Sequence, residues 1–430
     1  MKKFIDESEL KERTELNYKR FLNDSYYLIE RIFSPSEYSW YGDKEGRALL
    51  SFVSHYKISG RKIPCMEQMM ELFPEKLNEK GYLGKIFDGV VSEQQLSGHS
   101  WLLRGLCEHY EQFGDKFSLD LINSITENLF IPTKGMYSTY PIDRSGKKEG
   151  DVSGSEIGIF GSWILSSDIG CAFMSIDGLS HAYKVTKNSV LKEIVDEQIK
   201  VYLSIDKPAL KAQTHCTLTA ARGMMRMYTE TGEKEYLEGA KSIYELYVHG
   251  GGMTYTYQNL NWWNRSDSWT EPCAIVDSLM LSLELYKATK NEEYRITAAR
   301  IYHNGLSTSQ RSNGGAGTDV LICEGSEHKE ISARLYEAPF CCTMRLSEGL
   351  WYINENKDLL YATINGNITK DENGIYSDGD IIYVLPDASL TEYAEDFVET
   401  EGVGKLCPIV KYYKVPEEII KSAKQTIIFK

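Results

Sequence analysis

Five stretches of this chain share one loose pattern, and a chain that repeats an amphipathic pair at such spacing has few folds open to it. They are "LSGHSWLLRGLCEHYEQFGDK" from Leu96, "GCAFMSIDGLSHAYKVTKN" from Gly170, "THCTLTAARGMMRMYTETGEK" from Thr214, "EPCAIVDSLMLSLELYKATKN" from Glu271 and "FCCTMRLSEGLWYINENKD" from Phe340. In the first three a glycine precedes a tyrosine by five residues: Gly105 and Tyr110, Gly178 and Tyr183, Gly223 and Tyr228. Turns such as Gly114-Asp115 and Gly232-Glu233 follow, where glycine accepts the left-handed cap conformation. A second segment then returns, for example "LKEIVDEQIKVYL" or "YLEGAKSIYELYV", with apolar residues at helical spacing.

Each unit is therefore a helix, a tight turn and a return helix. The first helix is rich in small and apolar residues and belongs inside. The second is amphipathic and faces solvent. With an N-terminal unit around "GDKEGRALLSFVSHY", the chain predicts about six hairpins, which close into an all-α (α/α)6 barrel. An open solenoid is the alternative, but its polar end-caps are not evident. The barrel is expected over residues 1–358. From 359 to 430 the period changes to alternation with Asn-Gly and Asp-Gly turns, as in "LLYATINGNITKDENGIYSDGDIIYVLP", which predicts a short β-rich extension.

The repeat also aligns chemistry. Eight residues before the glycine slot stand Ser97, Gly170, His215, Cys273 and Cys341, with Leu281 and Gly349 filling that slot in the last two units. Equivalent positions on inner helices lie at one end of a barrel, so His215, Cys273 and Cys341 are expected to share a rim. Glu271 and Cys342 stand beside two of them. Three thiols and a carboxylate form a donor set suited to tetrahedral Zn²⁺. The bland reading is that these are buried core cysteines, as most of the nine should be. An odd count does not suggest a disulfide framework.

The series from Thr214, then "TEPCA", then "CC", resembles glycoside hydrolase family 127, the β-L-arabinofuranosidase-like proteins. "KGMYSTYP" at 134–141 is similar to that family's Gly-Tyr-Leu-x-Thr-Tyr stretch, and "WYGDKEGRALL" at 40–50 to its first helical region. The resemblance spans roughly residues 35–360. It implies an (α/α)6 barrel, Zn²⁺ held by Glu271, Cys273, Cys341 and Cys342, and a retaining glycoside hydrolase whose nucleophile is Cys341. The implied substrate is a small carbohydrate, such as a β-L-arabinofuranoside.

Two departures accompany it. The family's acid/base glutamate falls sixteen residues before Glu271, where this chain has Tyr255 in "GGGMTYTYQN", a stretch without a carboxylate. Asp267 and Glu337 are the candidates to replace it. Family members also continue into β-sandwich domains for which 359–430 is too short. The missing glutamate favours a second reading, a zinc-stabilised barrel that binds carbohydrate or a partner without turnover. Epimerases and unsaturated-uronide hydrolases on the same barrel would not need the three thiols.

His215, and Gln213 at the slot of the family histidine, are candidate contacts to sugar hydroxyls. His99, Tyr137, Tyr140, Tyr255, Trp263 and Trp269 are further candidates, since flat aromatic faces suit sugar C–H surfaces. Asp43 and Arg47 read as a structural pair. A net charge of −14 argues against nucleic-acid backbones. No eighteen-residue apolar run or signal segment is present, so the expectation is a cytoplasmic protein with no membrane partner. A homodimer is compatible with the sequence but nothing in it specifies one.

Overall fold

A computed structural model describes residues 1–36, 38–142, 154–319, 321, 323–324, 337–373 and 375–383, with strand backbone at 398–400 and 404–406. The longer helices are α1 Glu7–Asn23, α2 Asp43–Ser59, α3 Pro64–Lys76, α4 Glu93–Phe113, α5 Lys116–Ile125 and α6 Ser175–Thr186. They continue as α7 Ser189–Ser204, α8 Thr214–Thr231, α9 Lys234–His249, α10 Pro272–Thr289, α11 Glu292–Arg300 and α12 Cys342–Asn356. Two compact units divide them. One holds Met1–Asn23, Val248–Asn261 and Arg265–Lys430; the other holds Asp24–Tyr247 and Trp262–Asn264.

In the second of these, α2, α4, α6 and α8 pack side by side in chain order, with α3, α5 and α7 returning along their partners. The repeated glycine marks where neighbouring backbones touch. A Cβ on Gly105 would meet the Gly46 carbonyl oxygen at 2.5 Å, and one on Gly178 would meet Ser100 Cα at 2.6 Å. Such approach needs a residue without a side chain. The hairpin turns also follow the repeat. The backbone N–H groups of Gly114, Lys187, Gly232 and Lys290 cap the carbonyls of Tyr110, Tyr183, Tyr228 and Tyr286 from left-handed conformations. The next residue then starts the return helix: Asp115, Asn188 and Asn291 each accept a backbone N–H through the side chain. Lysine fills two turns where glycine would be unstrained, so the repeat is legible there only by register.

In the other unit α10 pairs with its return helix α11 and with α12, and α12 packs against α1. The sixth hairpin is thus completed by the chain's own beginning. Leu10, Tyr18 and Phe21 of α1 are buried. Asn17 donates to the Gly314 carbonyl at 2.8 Å and accepts from Ser347 of α12 at 2.8 Å. The N-terminal inner helix, α2, begins within "GDKEGRALL" as its pattern predicts, whereas the pattern carries no signal for this return helix.

The strands are short. In one unit Val91–Ser92, Glu156–Phe160 and Trp163–Ser166 form a small mixed sheet. In the other, Lys2–Lys3 pairs with Ala362–Thr363, and Thr369–Lys370, Tyr376–Asp378 and Ile381–Tyr383 form an antiparallel sheet. Gly379 turns the last hairpin at φ 61°. Val398–Thr400 pairs with Gly404–Leu406, while the other residues from 384 onward, Cys407 included, lie outside the described residues. No helix among the described residues is long and apolar enough to cross a membrane.

Candidate functional site

Two helix starts in one unit carry the thiols. Pro272 occupies the first helical position of α10, which leaves Glu271 as an extended N-cap (φ −132°, ψ 110°) and puts Cys273 in the first turn. At α12 the N-cap is Cys341 itself, at φ −138°, ψ −75°. That irregular entry follows Ala338-Pro339 and lets two adjacent cysteines present sulfur to the same point. Cys342 Sγ lies 3.5 Å from Cys273 Sγ and 3.7 Å from Cys341 Sγ, and all three sulfurs fall within 4.8 Å of one another. A Glu271 carboxylate oxygen is within 4.8 Å of Cys273 Sγ. Cys273 and Cys342 are buried; Cys341 is the half-buried member.

Burial, and then the two neighbouring sulfurs, push the Cys342 thiol well above its ordinary range. Three thiolates at this separation without a cation would repel. The spacing suits one tetrahedral ion: bonds of ~2.3 Å to sulfur separate ligand atoms by roughly 3.8 Å. Three soft sulfurs beside one carboxylate are a donor set of the kind that selects Zn²⁺. The residues therefore fit that ion.

Around the thiols stand groups that hold the two turns. The Glu271 N–H donates to Asn259 Oδ1 at 2.8 Å. Thr270 and Asp319 exchange hydrogen bonds, backbone to backbone at 3.0 Å and Asp319 N–H to Thr270 Oγ1 at 2.9 Å. Glu337, fully buried, accepts from Arg20 at 2.7 Å, Asn313 at 2.9 Å and Thr343 at 3.2 Å. Both carboxylate oxygens are engaged in this way, Oε1 by Arg20 and Thr343 and Oε2 by Asn313. Asp267 is clamped by Arg265 at 2.7 and 2.9 Å and is 47 % exposed, a surface ion pair. Tyr255 and Trp269 of the same unit are half-buried. Tyr255 packs against Ile375 and Ile382, and burial followed by the Glu324 charge raises its phenol above the usual range.

The remaining candidates belong to the other unit. His215 is buried and stacks on Trp101 (centroids 5.8 Å, 25° apart), over which Arg47 also lies at 3.9 Å. Arg47 donates to Asp43 at 2.9 Å, the expected structural pair. Gln213 accepts the Cys216 S–H at 2.9 Å. His99 is completely buried; its Nε2 accepts the Leu83 N–H at 3.2 Å and its Nδ1 donates to the Gln95 carbonyl at 2.9 Å. Both ring nitrogens thus have partners within the fold. Trp263 and Tyr137 are also at 0 % exposure. Tyr140 donates to Glu93 at 3.0 Å, and the Cys171 thiol donates to the same carboxylate at 3.1 Å. The buried Glu93 carried no sequence signal, because its partners come from distant segments.

This architecture is that of the (α/α)6 barrels used by glycosidases and sugar epimerases, and the fold is of that class. Among solved structures, the chain is similar to a family 127 β-L-arabinofuranosidase from Geobacillus stearothermophilus T6, with TM-score 0.56, 12 % identity and 87 % of this chain against 69 % of that one. A second family 127 β-arabinofuranosidase gives TM-score 0.52 and 14 % identity over 81 % of this chain and 60 % of the other. The cellobiose 2-epimerase of Bacillus thermoamylovorans B4167 gives 0.54 and 13 % identity over 81 % and 98 %. The chain spans about three fifths of the length of the first glycoside hydrolases it matches (59 and 60 %). No protein-family model and no curated protein matches the sequence.

Proposed function

We propose that this protein is a retaining glycoside hydrolase in which Cys341 is the nucleophile and Glu271, Cys273, Cys341 and Cys342 hold Zn²⁺. The convergence of three sulfurs from two helix starts, 3.5 and 3.7 Å apart, carries the reading. Bound zinc would keep the sulfurs ionised near neutral pH. Cys341 is the attacking sulfur because it alone of the three is partly open to solvent. Its thiolate displaces the leaving oxygen at the anomeric carbon, forming a thioglycoside on Cys341. Water then attacks that carbon, the C–S bond breaks, the thiolate returns, and the proton shed by the water neutralises the departed oxygen anion. Two displacements retain the configuration.

Tyr255 stands where the resemblance calls for a carboxylic acid, and its raised phenol is a poor proton donor at neutral pH. The enzyme so described acts best on glycosides whose leaving oxygen departs unprotonated. The same residue favours a second reading, a zinc-stabilised barrel that binds a carbohydrate without turnover. Assay against a panel of aryl glycosides, β-L-arabinofuranosides included, separates the two, with Cys341→Ser as control. Hydrolysis lost in that variant supports the first reading. A zinc-loaded protein inert across the panel supports the second.

A further inference from the structure

The stretch "SNGGAGTD", residues 312–319, is a glycine-rich segment that the function above leaves without a role. It runs between the two cysteine-bearing turns and bonds to both. At one end Asp319 pairs with Thr270, the residue before Glu271. Towards the other, Gly317 is bridged to Glu337, the Ala338 N–H donates to the Ala316 carbonyl at 3.3 Å, and the Ala316 N–H donates to Thr343 Oγ1 at 2.9 Å. Thr343 directly follows Cys342.

The three glycines are there because no side chain fits. A Cβ on Gly314 would meet the Leu16 carbonyl oxygen at 2.2 Å, one on Gly315 the Glu337 carboxylate at 2.2 Å, and one on Gly317 the Arg311 guanidinium at 2.5 Å. Arg311, itself buried, donates to the Thr318 carbonyl and to the Asp319 carboxylate, both at 3.0 Å. Glu337 gathers Arg20 from α1, Asn313 from the glycine stretch and Thr343 from the first turn of α12.

From this we infer that residues 311–319 form a splint that sets the separation of the two cysteine turns, with Glu337 as the positioning residue that locks the Cys341-Cys342 turn to it. The inference rests on the thiol site proposed above and assigns Glu337 a role at that site without contact to substrate. Hydrogen-bonded groups behind metal ligands typically govern affinity by 10–100-fold.

The test compares wild type, Glu337→Gln and Glu337→Ala in two assays on the full chain. In the first, zinc alone is titrated against a competing chelator. In the second, metal-free protein is alkylated and each cysteine's labelling is read by mass spectrometry. Glu337→Ala is expected to weaken zinc roughly 10–100-fold, with Glu337→Gln between it and wild type. In metal-free Glu337→Ala, Cys342 is expected to become labelled while Cys107 and Cys216 stay protected, as they would not in a generally loosened fold. Wild-type zinc affinity and an unlabelled Cys342 in Glu337→Ala would overturn the splint and leave the thiol site standing. Wild type that binds no zinc would overturn the thiol site, while selective labelling of Cys342 would still support the splint.

Discussion

Cys273 Sγ stands 3.5 Å from Cys342 Sγ although the two residues are 69 apart in sequence. Two thiols meeting from the first turns of different helices are either a packing accident or a ligand pair, and metal analysis decides. The expected content is about one zinc per chain, falling in Cys273→Ala, by elemental analysis of gel-filtered protein. Removing the ion by chelation should cost ~2.7 kcal/mol of unfolding free energy where zinc had been a hundredfold above its dissociation constant. Equal denaturation curves with and without chelator would show that no ion is linked to the folded state.

The contact of α1 with α12 makes a second test. Phe21 is 3 % exposed and sits on the helix that completes the sixth hairpin. Truncating it leaves a cavity under the buried face of α1, and Phe21→Ala should destabilise by about 3–5 kcal/mol in urea unfolding. Leu22, one residue on and 44 % exposed, is the control and should shift stability by under about 0.5 kcal/mol.

The outcome at α1 also shows what was legible in the sequence and what was not. The inner and return helices repeat because each hairpin solves the same packing problem, so Gly105, Gly178 and Gly223 marked helix contacts and the turns at Gly114 and Gly232 marked caps. Helix α1 lacks that signature because its partner lies at the far end of the chain, linked by side-chain bonds such as Asn17 to Ser347. At the site, Glu271, Cys273 and the Cys-Cys pair were readable because thiols and a carboxylate are rare neighbours at helix starts. The groups bonded around them are ordinary residues: Asn259 accepts from the Glu271 N–H, and Arg20 and Asn313 donate to Glu337, contacts that exist only in three dimensions. Glu337 and His99 stand out in the sequence for their chemistry, whereas their burial and their hydrogen-bond partners are set by the fold.

His99 gives the protein a pH dependence of stability. Burial lowers its pKa to about 4, against an ordinary 6.5. The folded form thus stays neutral while the unfolded chain takes up a proton, so the stabilisation is present above pH 6.5 and lost as pH falls towards 4. Between pH 7 and pH 5 this amounts to about 2 kcal/mol. His303, lowered to about 4 by burial, adds in the same direction. Unfolding of His99→Gln, measured at both pH values, should show a smaller loss than wild type by about that 2 kcal/mol; an equal loss would remove His99 from the account.

Tyr255 is the most informative position for turnover. If leaving oxygens depart unprotonated, wild-type rates must depend steeply on leaving-group acidity, with nitrophenyl glycosides cleaved and alkyl glycosides nearly inert. Tyr255→Glu introduces a carboxylic acid where the resemblance places one, and general acid assistance is worth ~10²–10⁴-fold. The gain should fall mainly on alkyl glycosides, because a nitrophenolate needs little help, so the dependence on leaving-group pKa flattens. The replaced side chain is half-buried against Ile375 and Ile382, so thermal unfolding of the variant is measured alongside. A folded, zinc-loaded Tyr255→Glu protein with no gain on alkyl glycosides would show that Tyr255 does not face the leaving group. Cys341 would then need its proton donor from elsewhere in the barrel.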